Sequence, residues 1–293
     1  MGFFRYDINS ISPGKLCAIP MILLIISLAI MGMTYMETGL PVKPGMEFKG
    51  GIAVTFTTDQ TPDQIKAIFA DFPLIAVEEG INQGKYLKFD TMSDEKVLAL
   101  NKLIESTYSG AKIDQIGSSF GKTLQDQAIL AMIFSFIGMS IVVFLIFRTA
   151  VPSAAVVLSA FADMAMTAAV MNLLGIQLSL GTTAALLMLI GYSVDSDILL
   201  TSRVLKRKGK FVDKVHGAFH TGIIMTSTAF CAVFAMWVVS WIGGIEIIHV
   251  MSQVLLIGLI FDVMNTWLTN VGILKHYALT GKGKTARELL GGA

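Results

Sequence analysis

Four carboxyl side chains stand inside long apolar stretches of this sequence: Asp163, Asp195, Asp197 and Asp262. A charged group costs roughly 2.5–3.5 kcal/mol at the centre of a membrane-spanning helix, so four facing lipid would cost on the order of 10 kcal/mol. They are therefore expected to face the interior of a helix bundle, or water. Two roles are open to them there. They can be structural glue, hydrogen-bonded across helices to Thr226, Ser227, Thr228 or Asn265. Alternatively they form a proton or cation path, because burial disfavours the charged form of a carboxyl group and lets it bind and release a proton near neutral pH. No Lys or Arg shares their apolar stretches to neutralise them, which favours the path. One charge falling through 100 mV gives about 2.3 kcal/mol, enough to bias a conformational equilibrium.

Spacing divides the acids. Asp195 and Asp197 stand about 200° apart on a helical wheel, so they cannot share a face. Asp195 aligns with Gly191 and Ser202, while Asp197 aligns with Ser193 and Thr201; Ser196 lies between them. His220, at the start of the fifth apolar stretch, is the histidine placed near the level of Asp195, and its charge changes near neutral pH. An interfacial histidine is the alternative. A carboxylate with Ser and Thr neighbours serves H⁺ or Na⁺, so the ion stays open.

Other chemistries find no residues. The glycines lack the Lys-Ser or Lys-Thr of a phosphate-binding loop, and nothing forms a nucleophile, base and orienter set. Cys17 and Cys231 make neither a disulfide framework nor a metal-ligand pair and read as small apolar residues. No cofactor motif and no metal site is expected, and the 17 methionines read as packing residues.

The elements that must position the acids follow from hydropathy. Of 293 residues, 54% are hydrophobic and 15% charged, against roughly 25% charged in an ordinary soluble domain. Apolar runs of about 20 residues, each long enough for a hydrocarbon layer of about 30 Å, recur at 16–36, 125–147, 151–174, 178–202, 218–242 and 246–274. The first is longer than a signal-peptide core and no small-residue cleavage site follows, so a retained anchor is expected. Gly243 and Gly244 mark a tight turn between the fifth and sixth runs.

Lys and Arg set the orientation. The segment 1–15 carries Arg5 and Lys15, the second turn Arg148, and the loop 203–217 carries Arg203, Lys206, Arg207, Lys208, Lys210 and Lys214. The tail 275–293 adds Lys275, Lys282, Lys284 and Arg287, whereas the two short loops on the other face have none. Both termini are therefore expected in the cytoplasm. The basic loop reads as a topology and lipid-headgroup determinant, with a docking surface as the alternative. Net charge is +1 and predicts no nucleic-acid partner.

Residues 39–122 are polar and fall outside. Ile52–Thr57 alternates as a strand; Thr61-Pro62 then opens a helix to Phe72 with proline at its first position. Strands are expected at Leu74–Glu78 and Tyr86–Phe89, joined by a turn from Gly80 to Gly84. Ser93 is expected to cap a second helix, and Ala111–Ile116 gives a last strand. The order βαββαβ is ferredoxin-like. The expected fold class is a polytopic α-helical membrane protein of six spans with a small α+β extracytoplasmic domain.

With these elements in place, three motifs resemble the SecD/SecF family of protein-export membrane proteins. They are Glu47-Phe48-Lys49-Gly50-Gly51, Ala162-Asp163, and Gly191-Tyr192-Ser193-Val194 followed by acids and Arg203. The whole chain resembles the SecF branch and one half of a resistance-nodulation-division (RND) transporter. The resemblance implies an accessory subunit that works with SecD beside the SecYEG channel and uses the ion gradient to help exported polypeptides cross. The familiar bacterial pattern would put its aspartate at position 196, where this chain has Ser196 between Asp195 and Asp197. Either acid could inherit the role, with Asp163 and Asp262 in support and Ser193, Thr201, Thr226, Thr228 and Asn265 as polar neighbours. Bacterial relatives tend to have arginine where His220 falls. The Asp195-Ser196-Asp197 form looks archaeal. Half of a small-molecule or lipid exporter, or a passive scaffold, are the rival readings.

Overall fold

The computed structural model describes residues 11–80 and 83–280. The chain begins with a long helix, α1 (Pro13–Thr38), and then builds a small domain. Its elements are α2 (Met46–Lys49), β1 (Gly51–Thr57), α3 (Pro62–Ile68), β2 (Leu74–Glu79), β3 (Gly84–Phe89), α4 (Asp94–Thr107) and β4 (Lys112–Ile116). Four long helices follow: α5 (Ser118–Phe147), α6 (Ala150–Leu174), α7 (Leu180–Lys206) and α8 (Phe211–Gly243). The last apolar stretch is α9 (Glu246–Met264), a π-helical segment Asn265–Asn270, and α10 (Val271–Leu279). Among the described residues, six helices are long and apolar enough to cross a membrane.

The small domain is ferredoxin-like. Its sheet has the order β2-β3-β1-β4 with every neighbouring pair antiparallel, the arrangement of a split βαβ. Alternation sends Ile52, Val54, Phe56, Leu87 and Phe89 to one face, where Ile65 and Phe69 near α3 and Leu100 and Ile104 of α4 cover them. Thr61 caps α3 as expected, and Gln64 returns a bond to the Thr61 N–H, closing a capping box. Two local expectations change. The helix stops at Ile68, because Phe69 turns into the core and the chain folds through Phe72 to reach Pro73 in extended form. Ser93 stands at the α4 N-cap, but its side chain makes no capping bond. The expected Gly80–Gly84 turn is closed by Gly80 N–H donating to Gly84 O at 2.8 Å; residues 81 and 82 lie outside the described residues.

The domain is sewn to the spans by the segment before β1. Gly45 N–H donates to Leu178 O at 2.8 Å and Leu178 N–H donates to Lys43 O at 2.7 Å. Asn172 donates to Pro41 O and accepts from Lys43 N–H, and the Glu47 carboxylate accepts from Leu180 N–H at the start of α7. Phe48 is buried among side chains at that end of the bundle. Gly50 and Gly51 have φ of +88° and +149°. A Cβ on Gly51 would lie 2.6 Å from Phe89 O, so the paired glycines allow a close backbone approach.

In the bundle, α6 is central, packing against α1, α5, α7 and α9. Its buried residues are mostly small, among them Ala155, Ser159, Ala162, Ala165 and Ala169, which lets neighbouring helices approach closely. The segment expected as a basic loop is mostly helical: α7 continues to Lys206 and α8 begins at Phe211. Arg203 closes that hairpin by donating to Gly217 O and, at 2.8 Å, to Thr221 Oγ1. Arg5, Lys282, Lys284 and Arg287 lie outside the described residues.

Candidate functional site

Three of the four acids converge. Asp163 on α6, Asp197 on α7 and Asp262 on α9 are buried at 0%, 0% and 1% exposure. Asp163 accepts from Ser193 Oγ at 2.5 Å and from Asn265 Nδ2 at 2.6 Å. Thr269 Oγ1 donates to Asn265 Oδ1 at 3.0 Å, which fixes the amide with its nitrogen toward the acid. Ser196 Oγ lies 3.0 Å from both Asp262 Oδ1 and Thr266 Oγ1, and 2.9 Å from Ser193 O. One hydroxyl carries one proton, so Ser196 chooses between Asp262 and the Ser193 carbonyl while Thr266 also reaches Asp262 at 3.3 Å. Asp197 accepts from Asn270 Nδ2 at 2.8 Å. Among the described residues its Oδ2 has no hydrogen-bond partner. The Ser159 hydroxyl approaches this carboxyl without meeting hydrogen-bonding geometry.

The π-helical segment supplies four of these partners. Asn265, Thr266, Thr269 and Asn270 are all buried, and Val271 N–H reaches back five residues to Thr266 O. A wide turn inserts one residue into an α-helix and often marks a functional site. Here it turns Asn265 toward α6 and Asn270 toward α7. The sequence reading named Asn265 but missed Ser159, Thr266, Thr269 and Asn270. Apolar periodicity carries no mark of a π turn; the cluster of four polar residues within six was the available signal.

Asp195 does not join the others. It is exposed on α7, beside Gly191 and Tyr192, and of the two places expected for the acids, bundle interior or water, it does not take the interior. The cause is the 200° separation: once Asp197 turns inward, Asp195 turns out. His220 is also exposed, and among the described residues no hydrogen bond or ion pair joins it to an acid. Thr228 bonds to Met225 O of its own helix at 2.7 Å, and neither it nor Thr226 reaches an acid by a hydrogen bond. Ser193 and Ser196 are in the network, whereas the Thr201 hydroxyl is buried without a hydrogen-bond partner among the described residues. Among the described residues, no group of three His, Cys, Asp or Glu side chains is arranged to hold a metal ion.

Six spans, a ferredoxin-like domain inserted after the first, and carboxyls buried on the third, fourth and sixth define a polytopic α-helical membrane protein with a small α+β domain. The family described as protein export membrane protein SecD/SecF, C-terminal, matches residues 96–280, and the chain is 51% identical over 281 residues to the protein-export membrane protein SecF of Methanolacinia petrolearia, covering 96% of this chain and 99% of that one. The chain belongs to the SecF family, within the SecD/SecF superfamily of membrane proteins. It is a non-catalytic membrane subunit, not an enzyme. SecF of Haloferax volcanii is 40% identical over 268 residues, covering 91% of this chain and 93% of that one. Among solved structures, SecDF of Thermus thermophilus, a translocon-associated membrane protein, superposes with a TM-score of 0.70 at 19% identity. That match covers 90% of this chain but 38% of the longer SecDF chain, and it is a likeness of fold.

Proposed function

We propose that this chain is an accessory subunit of the Sec protein-export machinery that acts with SecD at the SecYEG channel and draws on the transmembrane ion gradient to promote translocation. Family membership supports the export role, since the relatives are protein-export membrane proteins. The single observation that carries the gradient coupling is the burial of Asp163, Asp197 and Asp262 together, on three different spans at lipid depth. Because α6, α7 and α9 each contribute one carboxyl, taking up or losing a cation changes which packing of the three helices is preferred.

Of the two acids in the Asp195-Ser196-Asp197 run, Asp197 is assigned to the ion path because it is the buried one. Asp195 has a different task. It lies 15 residues from the start of α7 and eight before Arg203, so it stands near mid-membrane on an exposed face with Met188, Gly191 and Tyr192. An acid there needs protein or water over it, and a six-span half is too few spans for a complete transporter of this class. A second half of similar build, SecD, covers that face. The excess of Lys and Arg on one side supports both termini in the cytoplasm and residues 39–122 outside the cell membrane. The exported polypeptide and membrane lipid are the remaining partners.

The test is export of a reporter protein in cells whose own copy is replaced by Asp163→Asn, Asp197→Asn or Asp262→Asn. Each is expected to lower export at least tenfold with unchanged membrane insertion. Normal export in all three would leave a scaffold.

A further inference from the structure

Four oxygens at and beside one carboxyl have no hydrogen-bond partner among the described residues although all are buried: Asp197 Oδ2, Asn270 Oδ1, Ser159 Oγ and Thr201 Oγ1. Their residues are each 0% exposed. They come from three spans and meet at Asp197. Asn270 donates to the other oxygen of that carboxyl at 2.8 Å, so its own carbonyl oxygen lies close by. Ser159 approaches the carboxyl from α6, and Thr201 follows Asp197 by one turn on the same face of α7.

The two hydroxyls make the pattern unusual. A buried Ser or Thr inside a helix has an easy partner in the carbonyl four residues before it. Elsewhere in this chain that bond is made repeatedly, by Thr167 to Asp163 O at 2.6 Å, by Ser252 to Ile248 O at 2.6 Å and by Ser140 to Phe136 O at 2.7 Å. Thr201 and Ser159 forgo it. An unpaired buried hydroxyl or amide keeps its desolvation penalty uncompensated, so four together imply something else for them to bind.

We propose that Asp197 Oδ2, Asn270 Oδ1, Ser159 Oγ and Thr201 Oγ1 form a binding site for a dehydrated monovalent cation of the size of sodium. This rests on the gradient-coupled reading above and names the ion for it. All four are oxygens, the ligands a hard cation takes. One free carboxylate oxygen matches a single positive charge. A divalent ion is disfavoured, because both oxygens of Asp163 and Oδ1 of Asp262 are engaged by Ser193, Asn265, Ser196 and Thr266, and among the described residues the three carboxyls do not gather into a polycarboxylate cage. The ligands span α6, α7 and the π segment, so an ion would tie three elements together and its departure would free them.

The purified full-length chain in mild detergent is melted as sodium replaces choline at constant ionic strength, with potassium in parallel. Sodium is expected to raise the midpoint saturably and potassium to do so at least tenfold less effectively. Asp197→Asn removes the charge, and Thr201→Val removes one ligand with little change of shape. Both should raise the half-saturating sodium concentration tenfold or more. In choline, Thr201→Val should melt at or above the wild-type midpoint, because an unsatisfied hydroxyl is gone. Identical wild-type midpoints in sodium and choline, or a sodium response left intact in both variants, would overturn the site. If export nonetheless still responds to an imposed proton gradient and loses that response in Asp163→Asn, the gradient-coupled reading stands without it. If sodium binds as described but export ignores every ion gradient, the site stands and that reading falls.

Discussion

Asn265 shows how closely one side chain can bind together the interior. Its nitrogen serves Asp163 and its oxygen is held by Thr269, so both ends of the amide are committed. Replacing it by leucine leaves Asp163 with Ser193 alone and strands the Thr269 hydroxyl. The expected loss is about 1–3 kcal/mol, the cost of leaving buried polar groups unpaired. Thermal unfolding of Asn265→Leu in detergent measures this, and an unchanged midpoint would show that the amide is not holding the acid. At this scale the sequence was half legible. Intramembrane acids announce themselves by their cost in lipid, and the 200° rule separated Asp195 from Asp197. Which of the two turned inward depended on packing around α7, which a helical wheel does not contain. His220 illustrates the same limit: its place along the chain suggested the level of Asp195, but its direction from α8 was invisible.

The π segment is the element on which the site turns. Because one extra residue is accommodated between Asn265 and Asn270, the same helix offers an amide to α6 and another to α7. Replacing Asn270 by alanine keeps the turn but withdraws the amide that it aims at α7. Asp197 then loses that hydrogen bond, while Asp262, which precedes the turn, keeps its bonds from Ser196 and Thr266. The expected result is normal membrane insertion with export at least tenfold down, read by the reporter assay; full export would mean that this amide has no part in function. Strands and capped helices were legible, as Thr61-Pro62 and the alternation of Ile52–Thr57 demonstrate, because their signals are local. The early end of α3 was not, since it depends on where Phe69 finds the core.

Across the whole molecule, one side chain joins the small domain to the last span. Lys88, on the sheet face away from α3 and α4, is bonded to both Glu78 and Glu246, the first residue of α9. Two cavities of about 510 and 380 Å³ flank this contact, so little else fills the space between the sheet and the ends of the spans. Burial pulls the Lys88 ammonium down, but hydrogen bonds to Glu246 and Glu78 outweigh it and hold the group above the ordinary lysine range. With its folded value raised, Lys88 adds stability to the docked domain throughout neutral pH, and that stability is lost as pH rises from the ordinary lysine range through the raised value. Lys88→Glu should therefore loosen the domain at pH 7 and Lys88→Glu with Glu246→Lys should restore it, as read by protease accessibility of the segment 80–84. Equal cleavage of wild type and Lys88→Glu would show that the domain is held by the 40–51 segment alone.

Because Glu246 and Asp262 belong to the same helix, a shift of α9 at the acids is felt at the domain. This makes the response to an ion gradient the quantity that reports on the whole protein. Inverted membrane vesicles containing this chain with SecD and the channel can be given an imposed ion gradient of chosen size while import of an exported precursor is timed. The account requires the wild-type rate to rise with the gradient, and requires Asp163→Asn, Asp197→Asn and Asp262→Asn each to keep the rate seen without a gradient but lose the rise. A gradient response of wild-type size in all three variants would contradict it.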